Sequence, residues 1–345
     1  MARCKICGKE SEEISESIGV CVDCLRKGHL EFSLKSHKGF RERIGLPAKP
    51  PKGGVKCSIC VNECKISDVG YCRVWINSNG LRPKYGFDKA ELFYYLDPHP
   101  TNCVAEPVCP ERNHVGFYNL AVFFYACNLD CLFCQNIEHK TSHGPVVPIN
   151  ELVKVALDRR ITCVCFFGGD PAPYSPFAIR LSREILRRRR IRICWETNGL
   201  ENPRIMRKIA KISRESEGIV KIDWKAYTPE VYEALTGVNG EKAIERIKEN
   251  VRIVKEEGAE LVVSTLVVPH YIDEVEVGGI VDYIASVDRN IPYILLAFHP
   301  EHLMKDIPTT SYEQMEKLVR IAKKKLKRVF VGNPWLLHFK QNPQR

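Results

Sequence analysis

No stretch of this 345-residue sequence stays apolar for the roughly 18 residues that a membrane-spanning helix needs. An export signal is missing too: the N-terminal segment carries Arg3, Lys5, Lys9 and several glutamates instead of a continuous apolar run. The two absences predict a cytoplasmic protein with no membrane partner. Neither sign of charge is scarce, since 52 basic against 42 acidic side chains leave a net charge of +10. The sharpest basic run, Arg187 to Arg190, ends a predicted helix, where cations meet the helix dipole favourably. It reads as a solvated helix end in preference to an RNA contact. With 44% hydrophobic and 27% charged residues, the composition is that of a globular protein. Sixteen cysteines without an export signal point to a reducing compartment, and to metal rather than disulfides.

Cys127, Cys131 and Cys134 form a Cys-x3-Cys-x2-Cys triplet directly after the apolar run from Leu120 to Ala126. Three thiolates so close in sequence can hold three corners of a [4Fe–4S] cube and leave one iron without a protein ligand. A catalytic metal site keeps such an open position for substrate or cofactor. The alternative is a zinc site with His139 or His143 as the fourth ligand. The spacing, the preceding strand and the aromatic Phe133 resemble the radical S-adenosylmethionine (SAM) superfamily. There the open iron chelates the amino and carboxylate groups of SAM, and the resemblance implies that Phe133 lies near the adenine.

Two cysteine modules come first. Cys4-x2-Cys7 and Cys21-x2-Cys24 are knuckles separated by thirteen residues. Four soft thiolates suit a closed, structural tetrahedral zinc site. A second set, Cys57, Cys60, Cys64 and Cys72, suits zinc or an auxiliary iron–sulfur cluster, and spacing does not choose between them. Cys103 and Cys109, in a Pro-rich stretch, either join one of these sites or remain free thiols. The expected organisation is a zinc-ribbon-like module over 1–30 and a Lys-, Gly- and Pro-rich linker over 31–56. A second Cys-rich module over 57–117, a core over 118–300 and a C-terminal helix and strand over 301–345 follow.

Within the core, short apolar segments near 119–126, 161–167, 191–196, 219–224, 261–268 and 293–298 read as strands. Helical stretches near 150–159, 175–190, 203–213, 241–256 and 273–287 lie between them. A last helix near 311–326 precedes a short strand at 328–331. Such alternation predicts an α/β fold with a parallel sheet wound by helices. Six units resemble the partial (β/α)6 TIM-type barrel of the radical SAM superfamily, whose reactive residues gather at the carboxyl ends of the strands.

Those ends carry distinctive residues. Strand two ends in Gly168-Gly169-Asp170-Pro171, where two glycines permit a sharp turn and close approach of a ligand to backbone. It resembles the superfamily's Gly-Gly-Glu-Pro motif, which holds the methionine amino group of SAM, with Asp170 in place of the usual Glu. Strand three ends in Glu196-Thr197-Asn198, and strand four in Asp223-Trp224-Lys225, whose two charged side chains share one face. This succession is similar to the activating-enzyme branch that includes pyruvate formate-lyase activase. In that branch the matching acids and threonine hold a monovalent cation beside the SAM carboxylate, and the lysine contacts that carboxylate. Glu196 stands where the branch has Asp. Strand five carries Ser264 near the place of a family arginine, and His299 after strand six matches a histidine that reaches SAM.

The resemblance implies reductive cleavage of SAM to methionine and a 5′-deoxyadenosyl radical, which abstracts a hydrogen atom from a substrate in the barrel. It also implies an electron donor such as ferredoxin or flavodoxin. The second cysteine module and the Cys134-Gln135-Asn136 ending resemble activase-like proteins of the AmmeMemoRadiSam gene neighbourhood. Substrate classes that fit are a glycyl-radical enzyme or other protein, and a small molecule or RNA. A non-catalytic zinc-dependent binding module is the remaining reading.

Overall fold

The computed structural model describes residues 2–339. Its centre is a nine-stranded sheet. In chain order the strands are β1 (Lys89–Pro98), β2 (Tyr118–Phe124), β3 (Val146–Pro148), β4 (Ile161–Phe167) and β5 (Arg192–Thr197). They continue with β6 (Ile219–Asp223), β7 (Glu260–Val267), β8 (Tyr293–Ala297) and β9 (Val329–Gly332). Their spatial order is β9-β8-β7-β6-β5-β4-β2-β1-β3. From β2 through β9, with β3 excepted, neighbours run parallel in the order in which they are synthesised. At the other edge β1 pairs antiparallel with β2, and β3 antiparallel with β1.

The six expected strands are present. The short strand expected at 328–331 is β9, which extends the parallel run beside β8. Strand β1 is an addition, lying inside the segment read as a Cys-rich module. Its sequence does not alternate cleanly: Ala90, Glu91 and Leu92 are all buried in succession.

The helices cover the sheet: α1 (Glu31–Arg43), α2 (Ile149–Ala156), α3 (Ser175–Leu186), α4 (Pro203–Ser216), α5 (Pro229–Thr236), α6 (Gly240–Glu256), α7 (Glu274–Val287) and α8 (Tyr312–Lys323). Their starts are chemically marked. Asn202, Asn239, Asp273 and Ser311 each accept a backbone N–H from the first turn of α4, α6, α7 and α8. Proline stands at the first position of α4 and α5, where its missing N–H costs nothing. Helix α6 buries Ile244, Ile247, Val251 and Val254 against the sheet, each contributing roughly 1.5–3 kcal/mol of apolar burial. The run from Arg187 to Arg190 follows α3, and each arginine has a local partner: Glu184 for Arg187 and Arg188, carbonyls of residues 156–159 for Arg189, and Glu217 for Arg190. That is a solvated helix end.

The stretch expected as a linker, 31–56, is a finding against the sequence reading, because its first half is the thirteen-residue helix α1. Its docking does not depend on an apolar stripe. His37 and Arg41, of polar and charged types, are 3% and 0% exposed. The knuckle module lies against the end of β7: the Val22 N–H meets His270 Nε2 at 3.2 Å, and Arg26 pairs with Asp273 and Glu276 of the first turn of α7. No described helix is long and apolar enough to cross a membrane.

Candidate active site

Strand β2 carries the chain to Cys127 at the carboxyl end of the parallel sheet, and the loop from 127 to 134 is held from several sides. The N–H groups of Asp130 and Leu132 donate to the Thr236 and Leu235 carbonyls at the end of α5, at 2.8 and 3.0 Å. The Arg73 guanidinium, one residue after Cys72, donates to the carbonyls of Tyr125, His139, Lys140 and Ser142, which flank the loop on both sides. Asn62 Nδ2 donates to the Asn128 carbonyl at 2.7 Å. The second cysteine module thus braces the triplet.

Under the loop sits a buried charge. The Asp130 carboxylate receives Lys140 Nζ at 2.9 Å, His37 Nδ1 at 3.1 Å and Arg41 Nη1 at 3.2 Å. Burial alone would raise its pKa, but Lys140, His37 and Arg41 together hold it well below the usual carboxylate range. Arg41 also donates to the Tyr71 carbonyl at 2.7 Å and stacks on the Tyr71 ring.

Gly168 and Gly169 bring the turn after β4 against the start of the loop. Gly169 has φ +55°, and a Cβ there would come within 2.2 Å of the Ala126 carbonyl oxygen. Only glycine allows this approach without strain. The Asp170 N–H then donates to the same carbonyl at 2.8 Å. Asp170 accepts from the N–H groups of Ala172, after Pro171, and Asn198, at 2.8 and 2.7 Å, and from Thr197 Oγ1 at 3.3 Å. Thr197 Oγ1 also reaches Glu201 Oε1 at 2.6 Å. Burial pushes Asp170 up to about 6 and Glu201 up to about 8, the latter helped by the neighbouring Asp170 charge.

Strand β6 presents Lys221, Asp223 and Lys225 on one face. Lys225 Nζ is bonded to Asp223 Oδ2 and lies 5.8 Å from the centre of the Phe133 ring, which links the strand end to the cysteine loop. Ser264 Oγ donates to the other Asp223 oxygen at 3.2 Å. Burial opposes both charges, yet the pair holds Asp223 down and Lys225 up. Lys221 Nζ lies 3.2 Å from Glu196 Oε2 and 3.9 Å from Asp223 Oδ2. An ammonium of the chain therefore stands between the two acids that the family resemblance assigns to a free cation, and the residues do not fit such an ion.

His299 is half-exposed and pairs with Glu301 at 3.3 Å, in a loop that reaches the triplet through the Leu303 N–H and the Leu132 carbonyl. The histidines offered as zinc ligands have other partners: His139 Nδ1 the Phe124 carbonyl oxygen at 2.9 Å, and His143 Nδ1 Glu91 at 2.7 Å.

Among the described residues, two sets of thiol and carboxylate atoms close to within 4.8 Å of one another: Cys4, Cys7, Cys21 and Cys24, and separately Cys103, Cys165 and Glu196. In the first set the Cys4–Cys24 and Cys7–Cys21 sulfurs are 3.7 Å apart. A tetrahedron with metal–sulfur bonds of ~2.3 Å has edges of about 3.8 Å.

Sequence reasoning missed several residues here. Lys221 shares the alternation that singled out Asp223 and Lys225, so its signal was available. Glu201, His37, Arg41 and the brace Arg73 carry no local pattern. Neither does Tyr232 of α5, which is fully buried and has a hydroxyl with no hydrogen-bond partner among the described residues.

The Radical SAM superfamily model matches residues 121–284. The uncharacterized protein MJ0674 of Methanocaldococcus jannaschii is 27% identical over 59% of this chain, which spans 61% of that protein's length. The putative glycyl-radical enzyme activating enzyme MJ1227 of the same organism is 21% identical, over 61% of this chain and 87% of its own. Among solved structures, a domain of pyruvate-formate lyase-activating enzyme from Bacteroides vulgatus is similar, with 20% identity and a TM-score of 0.42, over 49% of this chain and 98% of that domain. The matched segment, just under half of the chain, runs from β2 to α7 and contains the braced cysteine loop, the Gly-Gly turn and the charged end of β6; it is this segment that is similar to the radical SAM superfamily.

Proposed function

We propose that the chain binds a [4Fe–4S] cluster on Cys127, Cys131 and Cys134, cleaves SAM reductively, and directs the resulting 5′-deoxyadenosyl radical to a C–H bond of a protein substrate. One observation carries this reading. Three thiols on one loop sit at the strand end, where the Phe133 ring of that loop lies 5.8 Å from Lys225 Nζ and the buried Tyr232 hydroxyl has no hydrogen-bond partner among the described residues. An orphaned buried hydroxyl beside a set of thiols fits a polar ligand.

Cys127, Cys131 and Cys134 would hold the cluster, which would supply the low-potential electron for reductive cleavage of SAM to methionine and the 5′-deoxyadenosyl radical. The chain's own residues bind and orient. Gly168 and Gly169 let the turn close on the start of the cysteine loop, which sets its backbone beside the place of the methionine amino group, with Asp170 and Pro171 fixing the turn. Lys225, held by Asp223, meets the SAM carboxylate, and Phe133 and His299 line the nucleoside side. Thr197 and Asn198 hold Asp170 in place. The electron comes from a donor of the ferredoxin or flavodoxin class.

The knuckle set fits zinc in a closed thiolate shell. The set Cys57, Cys60, Cys64 and Cys72 suits zinc or an auxiliary iron–sulfur cluster. A protein substrate, either a glycyl-radical enzyme or another chain, is supported by the likeness to a putative activating enzyme.

The test is anaerobic reconstitution with iron and sulfide, reduction by dithionite with SAM, and assay of 5′-deoxyadenosine. Wild type should form it and Cys131→Ala should not. Absence of both cleavage and iron from a zinc-loaded wild type would leave the binding-module reading in its place.

A further inference from the structure

A second group of cysteines lies inside the barrel, away from the triplet. Strand β4 places Cys163 and Cys165 on its inner face, β5 adds Cys194 beside Cys165, and the loop before β2 inserts Cys103 and Cys109. Positions of this kind in a parallel barrel are ordinarily filled by bulky branched residues. Here five thiols and Glu196 line a cavity of about 10 Å³. That is room for a single ion or water, and not for an organic cofactor.

Three of these groups converge. Cys103 Sγ donates to Glu196 Oε1 at 2.8 Å, and Cys165 Sγ lies within 4.8 Å of both atoms. The competing account is that the thiols are small apolar fillers, as buried free cysteines often are. A filler set has no use for a carboxylate, whereas Glu196 is turned into this one. Its Oε1 also accepts the Val104 N–H at 3.0 Å, and its Oε2 is paired with Lys221. The carboxylate is thereby oriented from two sides, as ligands in metal sites are fixed by their outer hydrogen bonds.

We propose that Cys103, Cys165 and Glu196 bind one thiophilic divalent ion of the zinc class, with Cys194 beside Cys165 as a further thiol within reach. Two thiolates and a carboxylate are a ligand set that zinc accepts. The ion ties the loop carrying Cys103 to the walls of β4 and β5. That loop is otherwise anchored at its ends, by Asp97 with Thr101 and Asn102, and by Glu111 with Arg192. Its middle reaches the barrel interior through Cys103 Sγ and the Val104 N–H, both on Glu196 Oε1. Loading the site releases the two thiol protons and changes no oxidation state.

The test uses the full chain, purified anaerobically and reduced, without SAM or an iron–sulfur cluster. Zinc per chain is measured for wild type, Cys103→Ser and Glu196→Gln, with Cys7→Ser reporting the knuckle site. The expected result is one zinc fewer in Cys103→Ser than in wild type, a weaker second equivalent in Glu196→Gln, and independent loss of the knuckle zinc in Cys7→Ser. Amide exchange over residues 99–117 should rise severalfold in Cys103→Ser and, on chelation, in wild type. Cys103 lies on a loop, so its variant leaves the strand core undisturbed. Equal zinc in wild type and Cys103→Ser overturns the proposal, as does a Cys103–Cys165 disulfide in the freshly isolated chain.

Discussion

Arg41 Nη1 and Asp130 Oδ1 face each other at 3.2 Å with neither side chain exposed, which joins α1 to the loop of the cysteine triplet. Stranding a buried charge costs roughly 3–5 kcal/mol; without Arg41 the Asp130 carboxylate keeps Lys140 and His37, so the loss falls below that range. Arg41→Met should therefore lower the denaturant midpoint. It should also reduce iron and sulfide retained after reconstitution, because Asp130 lies between two of the three cysteines. Unchanged iron content with a lowered midpoint would separate the brace from the cofactor loop.

Gly169→Ala introduces a side chain at a positive φ, which costs roughly 1–2 kcal/mol, and drives a Cβ into the Ala126 carbonyl. The turn should retreat from the start of the cysteine loop. SAM affinity, measured by calorimetry on reconstituted protein, should fall more than overall stability does. An unaltered affinity would mean that the turn does not meet the ligand.

Glu201 gives stability a pH dependence of defined sign. Its folded pKa is pushed up to about 8 from an ordinary 4.5 by burial and then by Asp170. A carboxyl raised on folding binds more protons in the native state than in the unfolded one, so stability falls as pH rises between those two values. Urea midpoints taken from about pH 5 to about pH 9 should decline in wild type and flatten in Glu201→Gln. Equal slopes in the two chains would count against a protonated Glu201.

Lys221 supplies the positive charge between Glu196 and Asp223. Formation of 5′-deoxyadenosine should accordingly be indifferent to exchange of sodium for potassium in wild type. Lys221→Met leaves two buried acids without it, a change on the order of 3–5 kcal/mol. Activity should drop sharply and recover in part on adding a monovalent salt. Salt dependence in the wild type would show that a free ion enters after all.

The barrel was largely legible because its strands are apolar runs at regular spacing and its helices start at marked caps, such as Asp273 and Asn202. The triplet, the Gly-Gly turn and the Asp223–Lys225 alternation were legible because their chemistry is local in sequence. What escaped was assembled across long separations by polar contacts. Residues 31–56 looked like a linker because α1 docks through His37 and Arg41, types that pattern reading assigns to solvent. Strand β1 hid behind a burial pattern without alternation. Glu196 carries the same limit, since nothing near it in sequence announces Cys103 as its partner, 93 residues earlier.

Three of the side chains that grip the cysteine loop precede it along the chain, while the carbonyls of Leu235 and Thr236 that hold it from the other side come later. Arg41, Asn62 and Arg73 all leave the ribosome before Cys127, and chains begin to fold from the N-terminal side during synthesis. One side of the cradle is thus made ahead of the loop, and the other closes only when α5 has followed it.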